Sequence, residues 1–378
     1  MSAPADRRNN FDALRLIAAT SVIFTHAFLI AEGEQNRDPL VVLTRNQCPT
    51  GLVGVFVFFA ISGFLVTQSW EQTRSLPRYA AKRTLRIYPG YATCILLLTF
   101  GLGAAVTSLP LDDYLRDPRT HEFLIANLKM ELQPNALPGV VFGQSWFGNV
   151  MDGPLWSLPL EVSLYVMVAL LGLARSLRVP VLAALLALGV FEVAFDHWVD
   201  KNVIPLISEP HFASIAGFLA GVLWMLPFFA TGMIAYKLRD RGIFNGRVAL
   251  LAGAVLIASV VLANALPENA LPWNLHRHAF IPTFSICGCY LALYVALHPG
   301  LPVFPAARFG DLSYGLYIYG WPVEQTIAYL RPGASWWQLF LLSMLATGAV
   351  AFLSWHVVEK RALSLKPRGA ARAKPVPA

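Results

Sequence analysis

Long apolar segments recur along the whole 378-residue chain, and they restrict its fold more than any other feature. Only 13% of the residues are charged, whereas a soluble domain carries about 25%. A run of about 20 apolar residues can cross a bilayer as one helix. Ten such segments predict an all-α membrane protein with about ten transmembrane helices. They are 11–31, 51–70, 87–107, 155–174, 179–197, 216–236, 247–265, 280–298, 311–330 and 336–357.

The positive charges predict how these segments are oriented. With the N-terminus inside, the predicted cytoplasmic segments carry 20 of the 29 Lys and Arg residues, and the outer segments carry eight. Because cytoplasmic loops are enriched in Lys and Arg, we expect an N-in, C-in topology. The same bias explains the net charge of +7 without nucleic-acid binding.

The topology also divides the chain into segments. It places a long extracytoplasmic loop, about 108–153, between spans three and four. One membrane domain is expected over 1–366, followed by a disordered basic cytoplasmic tail over 367–378. No small-residue cleavage site follows the first apolar segment, so we expect that helix to be retained.

The four cysteines do not predict a metal centre. Three of them lie in apolar runs, and no C-x₂-C spacing occurs. We therefore expect neither a zinc site nor a disulfide framework, and no bound metal.

The first apolar segment contains two ionisable residues, Arg15 and His26. His26 lies eleven positions after Arg15, which places both on one helical face and about 16 Å apart along the axis. Ionisable groups inside a span normally face a cavity or a partner, so this face is a candidate site. Alternatively, Arg15 reaches the cytoplasmic interface and His26 is hydrogen-bonded at the outer end.

A basic cluster follows the second span. Arg83 and Arg86 share a helical face, and Lys82 flanks them. Guanidinium pairs suit phosphate or pyrophosphate groups, although plain positive-inside charge or contact with anionic lipid would also explain them. We expect this helix to end at Pro89-Gly90 and to lie along the inner membrane surface.

The fourth predicted span contains Glu161, with Tyr165 one turn later. A carboxylate at that depth could orient His26 as a base, or it could be a structural group that holds the bundle together. In the second span, Ser62 and Gly63 favour close helix packing.

Aromatic residues are concentrated in the ninth predicted span and in the outer loop. Flat rings with polar tips suit sugar recognition, but they also suit a helix interface. The ninth span carries Tyr314, Tyr317, Tyr319 and Trp321, together with Glu324. Phe142, Trp146, Phe147 and Trp156, in and just after the loop, indicate either an ordered surface or an interfacial anchor.

Five motifs, taken together and in order, resemble those of the acyltransferase-3 family of integral membrane acyltransferases. Arg15 and His26 resemble its R-x₁₀-H motif, and Ser62-Gly63-Phe64 resembles its SGF motif. The remaining three are Arg83 to Arg86, which resembles RxxR; Trp156, Ser157, Glu161 and Tyr165, which resemble LWSL-x₂-E-x₃-Y; and the segment from Ser313 to Pro322, which resembles SYGLYLxHxP. Gly320 departs from that last motif, because family members often carry His there.

The resemblance implies transfer of an acyl group, most often acetyl, from cytoplasmic acyl-CoA to a hydroxyl of an exported or cell-envelope carbohydrate. The implied setting is a bacterial inner membrane, with exopolysaccharide or lipopolysaccharide as acceptor and polysaccharide assembly proteins as candidate partners. In this mechanism Arg83, Arg86 and Lys82 hold the CoA phosphates, while Arg15, His26 and Glu161 form the catalytic set. The expected substrate-binding residues are Trp156, Tyr165, Tyr314, Tyr317, Trp321 and Glu324.

Two points stay open in the sequence. Either Glu161 or Glu324 could orient His26, because the choice depends on distances between helices. Two other functions also fit the residues: a flippase of lipid-linked sugars with a proton relay through Arg15, His26 and Glu161, or a non-catalytic subunit of a polysaccharide assembly. Dependence on acyl-CoA distinguishes these functions from an acyltransferase.

Overall fold

The computed structural model describes residues 9–131, 136–143, 147–202, 210–267 and 278–367. Within these ranges the regular structure is helical, apart from an isolated antiparallel bridge between Thr107 and Val140. The predicted tail beyond 367 lies outside the described residues. The helices are α1 Phe11–Glu32, α2 Pro39–Leu43, α3 Thr50–Thr73, α4 Leu76–Val106, α5 Leu111–Arg116, α6 Pro118–Leu128, α7 Pro154–Leu173, α8 Val179–Asn202, α9 Pro210–Leu238, α10 Gly246–Ala265, α11 Phe280–Leu297, α12 Ser313–Leu330 and α13 Trp336–Ser364.

The predicted multi-pass architecture agrees with these helices. Among the described residues, eight helices are long and apolar enough to cross a membrane: α1, α3, α4, α7, α9, α10, α11 and α13. The fifth and ninth predicted spans are also helices, α8 and α12. α8 is apolar over Val179–Phe195, and α12 is not among the eight. The number ten and the N-in, C-in orientation therefore remain predictions.

The predicted end of the basic helix at Pro89-Gly90 is wrong. α4 continues through Pro89 to Val106, as one helix of 31 residues. A proline removes one backbone donor, and helices packed among neighbours in a membrane protein tolerate that loss. The basic residues 82–86 are therefore part of the same helix as the third apolar segment.

α1 lies at the centre of the bundle. It packs against α3, α12 and α13. α3 in turn packs against α9, which packs against α8. The side chains of Arg15 and His26 face protein, since they are only 19% and 13% exposed.

Two glycines allow α3 and α9 to cross closely. A Cβ added at Gly63 would lie 2.0 Å from the Phe229 carbonyl oxygen, and one added at Gly232 would lie 2.0 Å from the Ala60 carbonyl oxygen. Small residues let helix backbones approach in membrane bundles. The prediction that Gly63 serves packing is confirmed.

We expect Gly232→Leu to prevent folding, because the added side chain collides with the α3 backbone. Gly217→Leu is the matched control, since a Cβ at this position on the same helix meets no atom within 4 Å. Size-exclusion chromatography in detergent should show a monodisperse control and aggregated or degraded Gly232→Leu. A Gly232→Leu protein that runs and melts like wild type would contradict this account of the crossing.

Candidate active site

One carboxylate joins the basic residues of α1 and α4. Asp311, just before α12, lies 2.5 Å from an Arg86 nitrogen and 3.9 Å from an Arg15 nitrogen. The Ser313 hydroxyl donates to its other oxygen at 2.6 Å. Burial would raise the pKa of Asp311, but the charges of Arg86 and Arg15 outweigh it and hold the pKa at about 2. Asp311 is therefore ionised at neutral pH.

Arg83 faces the same cavity and has no carboxylate partner among the described residues. Its buried Nε has no hydrogen-bond partner among the described residues. Its guanidinium lies 5.9 Å from the centre of the Tyr165 ring. The cavity, which we call the arginine cavity, is lined by Arg15, Arg83, Arg86, Ser62, Glu161, Tyr165, Tyr314 and Tyr317, among others. Lys82 does not line it, because its ammonium bonds the Thr73 hydroxyl at 3.0 Å.

Glu161 belongs to the arginine cavity and does not contact His26. It accepts hydrogen bonds from the Ser62 hydroxyl and, at 2.5 Å, from the Tyr165 hydroxyl. The expectation that Glu161 could orient His26 is therefore wrong in this structure. Ser62, which the sequence assigned to packing, bonds a carboxylate instead.

Glu324 is the acidic partner of His26. Nδ1 of His26 lies 3.4 Å from Oε2 of Glu324, and the Glu324 side chain is fully buried. Neither atom has another hydrogen-bond partner among the described residues. A small rotation of either side chain would shorten the distance between them to that of a hydrogen bond. The Trp321 ring packs edge-on against the imidazole, with 4.8 Å between ring centres.

His26 lines a second cavity, which we call the histidine cavity. Its wall includes Thr25, Gln35, Trp156, Tyr317 and Trp321. Trp156 is 39% exposed and Trp321 only 4%, so Trp156 offers the open aromatic surface. Tyr165 and Tyr314, which the sequence assigned to substrate binding together with Trp156 and Trp321, do not line the histidine cavity. Both line the arginine cavity.

The segment before α7 forms one wall of the histidine cavity. It runs antiparallel to α12: Gln325 donates to the Phe147 carbonyl at 2.6 Å, Trp321 to the Val150 carbonyl at 3.0 Å and Tyr317 to the Pro154 carbonyl at 3.1 Å. The loop therefore enters the bundle beside α12. Phe142 is buried beside Tyr329, and Trp146 lies outside the described residues.

The two cavities meet at Val55 and Tyr317, which line both. The Tyr317 hydroxyl is 2.5 Å from the Ser157 hydroxyl at this junction. Arg15 and His26, on one face of α1, therefore lie at opposite ends of a pair of adjoining cavities.

Gly320 is a packing position. A Cβ built there would lie 2.9 Å from Cγ1 of Ile23 on α1. A histidine at this position would therefore displace Ile23. The small residue lets α12 approach α1 about one turn before the His26–Glu324 pair on each helix.

A buried carboxylate holds the end of α1 that carries His26. Asp38 is fully buried and accepts from the Thr25 and Thr50 hydroxyls, both at 2.6 Å. It also accepts from the backbone N–H of Leu40 at 2.9 Å, and so caps α2. The Thr25 hydroxyl in turn accepts from the Gly51 N–H at 2.7 Å. This network ties α1 to the start of α3 one residue from His26.

Sequence reasoning missed Ser62, Asp311 and Asp38. Asp311 lies two residues before the SYGLY motif, and its position before a helix resembles an ordinary cap. Asp38 lies in a short polar loop with no motif around it. The one sequence feature that could have indicated Asp38 and Asp311 is a carboxylate close to an apolar span.

Comparison with known proteins identifies the chain. The acyltransferase-3 family, described as an acyltransferase domain, matches residues 8–356. The chain belongs to the acyltransferase-3 family. Together with its apolar helices, this makes it a multi-pass membrane acyltransferase.

Two relatives of this acyltransferase-3 protein are similar over nearly their whole length. Nodulation protein 10 of Rhizobium leguminosarum bv. viciae is 29% identical over 375 residues, which are 97% of this chain and 96% of that protein. An O-acetyl transferase of Shigella phage Sf6 is 26% identical over 366 residues, 95% of this chain and 97% of that protein. No solved structure matches the chain.

We expect Asp38→Ala to lower the stability of the protein by about 2–4 kcal/mol, because several buried donors lose their acceptor. Asp112→Ala is the control, since Asp112 is exposed on α5. Thermal unfolding in detergent should show a lower midpoint for Asp38→Ala only. Equal midpoints for the two variants would show that the network does not hold α1 in place.

Proposed function

We propose that this acyltransferase moves an acyl group, expected to be acetyl, from acyl-CoA in the arginine cavity to a carbohydrate hydroxyl in the histidine cavity. The observation that supports this proposal is the junction at Val55 and Tyr317. It joins a cavity with anion-binding groups to one with a base and an open aromatic ring.

The arginine cavity suits the phosphates of CoA. Arg83 has an unsatisfied buried nitrogen, and Arg86 and Arg15 share one carboxylate between them. Guanidinium groups bind phosphate oxygens through paired N–H donors. The pantetheine arm would then extend past Tyr317, and its length, on the order of 15–20 Å, is close to the rise of about 16 Å between Arg15 and His26.

His26 would act as the general base. Its imidazole takes the proton of the acceptor hydroxyl, whose oxygen attacks the thioester carbonyl. The new C–O ester bond forms as the C–S bond breaks, and the imidazolium returns the proton to the departing CoA thiolate. Glu324, facing Nδ1, would orient the ring and stabilise the imidazolium, leaving Nε2 for the acceptor.

The histidine cavity suits a sugar. Trp156 presents a partly exposed indole at its wall, and such rings stack on the flat faces of sugars. One relative is named an O-acetyl transferase, which favours acetyl as the group and a hydroxyl as its acceptor. We place the protein in a bacterial inner membrane, with an exported or cell-envelope polysaccharide as acceptor.

The test compares wild type with His26→Ala in membranes that receive radiolabelled acetyl-CoA. We expect label in the extracted polysaccharide with wild type and a loss of roughly 10²-fold or more with His26→Ala, the contribution of a general base. Fluorescence of a fused reporter should confirm equal insertion. Label that is equal in both would remove His26 from the chemistry, and sugar flipping without use of acetyl-CoA would support a flippase instead.

The two glutamates provide a matched pair in the same assay. Glu324→Gln should lower kcat by roughly 10²-fold, because the imidazolium loses its carboxylate. Glu161→Gln should leave kcat within a few-fold and act mainly on the KM for acetyl-CoA, because Glu161 lines the arginine cavity and makes no contact with His26. The reverse pattern would show that Glu161, not Glu324, serves the base.

A further inference from the structure

An apolar groove runs between α4 and α7, two helices long and apolar enough to cross a membrane. Its walls extend from Leu76 to Tyr88 on α4 and from Leu173 back to Val162 on α7. At 1.5 Å per residue each wall is about 16–18 Å long, close to half of the 30 Å hydrocarbon core of a bilayer. Leu170 and Leu173 are more than half exposed along it. The groove therefore has the length and the apolar surface to hold one lipid chain.

The inner wall of this groove is shared with the arginine cavity. Arg83 and Tyr165 line both. Tyr79, 3% exposed, also lines the groove, and its hydroxyl donates to the Tyr165 carbonyl at 2.8 Å. Towards the far end, the Tyr88 hydroxyl donates to the Leu128 carbonyl at 3.2 Å. Hydrogen bonds between elements therefore fix the shape of the groove.

At its other end the groove meets a second cavity, which we call the end pocket. Leu173 lines both. Arg74, the residue that ends α3, and Arg175, two residues after α7, also line the end pocket. The two helix ends lie close together because a Cβ added at Gly172 would collide with the Trp70 indole. Two arginines that are distant in sequence therefore line one cavity.

The end pocket carries an excess of positive charge. Among the described residues, neither Arg74 nor Arg175 forms an ion pair or a side-chain hydrogen bond. Glu71 also lines the pocket, but the Lys237 ammonium lies 2.5 Å from its carboxylate and neutralises it. The positive-inside rule alone would explain cations at this end of the bundle. It does not explain their position in a cavity that continues into an apolar groove.

An anionic phospholipid matches this combination of surfaces. Guanidinium groups bind phosphate oxygens through paired N–H donors, and cations near a membrane surface attract anionic lipids. The acyl chain of the same molecule would bury apolar surface along the groove. A soluble phosphate compound would leave the groove empty, and a lipid without net charge would leave the two arginines uncompensated.

We propose that the groove and the end pocket together bind one anionic phospholipid, with its phosphate at Arg74 and Arg175 and one acyl chain along the groove. This site is separate from the donor and acceptor cavities, so the proposal does not depend on the proposed function. The bound chain packs against Arg83 and Tyr165, and it therefore supports the wall of the arginine cavity from the membrane side.

The experiment titrates the full-length protein in a non-ionic detergent with phosphatidylglycerol or phosphatidylcholine of identical chains. Native mass spectrometry gives the Kd of the first bound lipid. Wild type should bind the anionic lipid roughly tenfold more tightly. The double variant Arg74→Gln/Arg175→Gln should lose this preference. Arg178→Gln/Arg241→Gln is the charge-matched control and should keep it, because both residues are exposed and line neither cavity.

A second pair of variants tests the place of the chain. Ala80 is exposed in the groove, so Ala80→Trp should fill the groove without disturbing the core. We expect it to weaken the binding of both lipids roughly tenfold, because the chain loses its apolar contacts. Leu250→Trp is the control, since Leu250 is 77% exposed on α10 and does not line the groove.

Three results would overturn the proposal. Equal affinity of wild type for the two lipids, or an unchanged preference in Arg74→Gln/Arg175→Gln, would show that the arginines do not hold a headgroup. Unchanged binding to Ala80→Trp would show that the chain does not lie in the groove. If CoA without lipid binds wild type and the double arginine variant loses that binding, the two arginines hold a nucleotide phosphate and not a phospholipid.

Discussion

The arginine cavity depends on the carboxylate of Asp311, which contacts Arg86 on α4 and Arg15 on α1. All three side chains are no more than 20% exposed. Buried charges are costly, and removing one partner of such a pair typically costs about 3–5 kcal/mol. Asp311 therefore fixes the positions of two cations that would otherwise repel each other. It also ties α1 and α4 to the start of α12, so the helices around the cavity meet at one group.

In the proposed function, the chemistry would be divided between the two ends of α1. Arg15 faces the cavity with the cations, and His26 faces the cavity with the open indole of Trp156. A water-soluble donor and an exported acceptor could each reach their own end. The acyl group alone would then have to pass the junction at Val55 and Tyr317. Such an arrangement lets one helix position both substrates without a large opening through the bundle.

Much of this arrangement could be predicted from sequence, because it follows from local patterns. The apolar segments matched helices, and the spacing of Arg15 and His26 placed both on one face of α1. Contacts between distant residues could not be predicted. The choice of Glu324 over Glu161 depends on how α12 and α7 pack, and Asp311 pairs with residues more than 200 positions away. Residues 147–154 run along α12, but their sequence has no periodic pattern that would predict this course. The continuation of α4 through Pro89 also depends on the helices packed around it.

The passage of the acyl group at the junction is the central claim, and Val55→Trp tests it most directly. The indole would add bulk at a residue that lines both cavities, whereas Ile17→Trp, on a 64% exposed position of α1, provides a control. CoA binding and acetyl transfer to polysaccharide should be measured on the same preparations. We expect Val55→Trp to bind CoA within a few-fold of wild type and to lose transfer, and Ile17→Trp to keep both. Transfer at the wild-type rate in a well-inserted Val55→Trp protein would contradict a path through this junction.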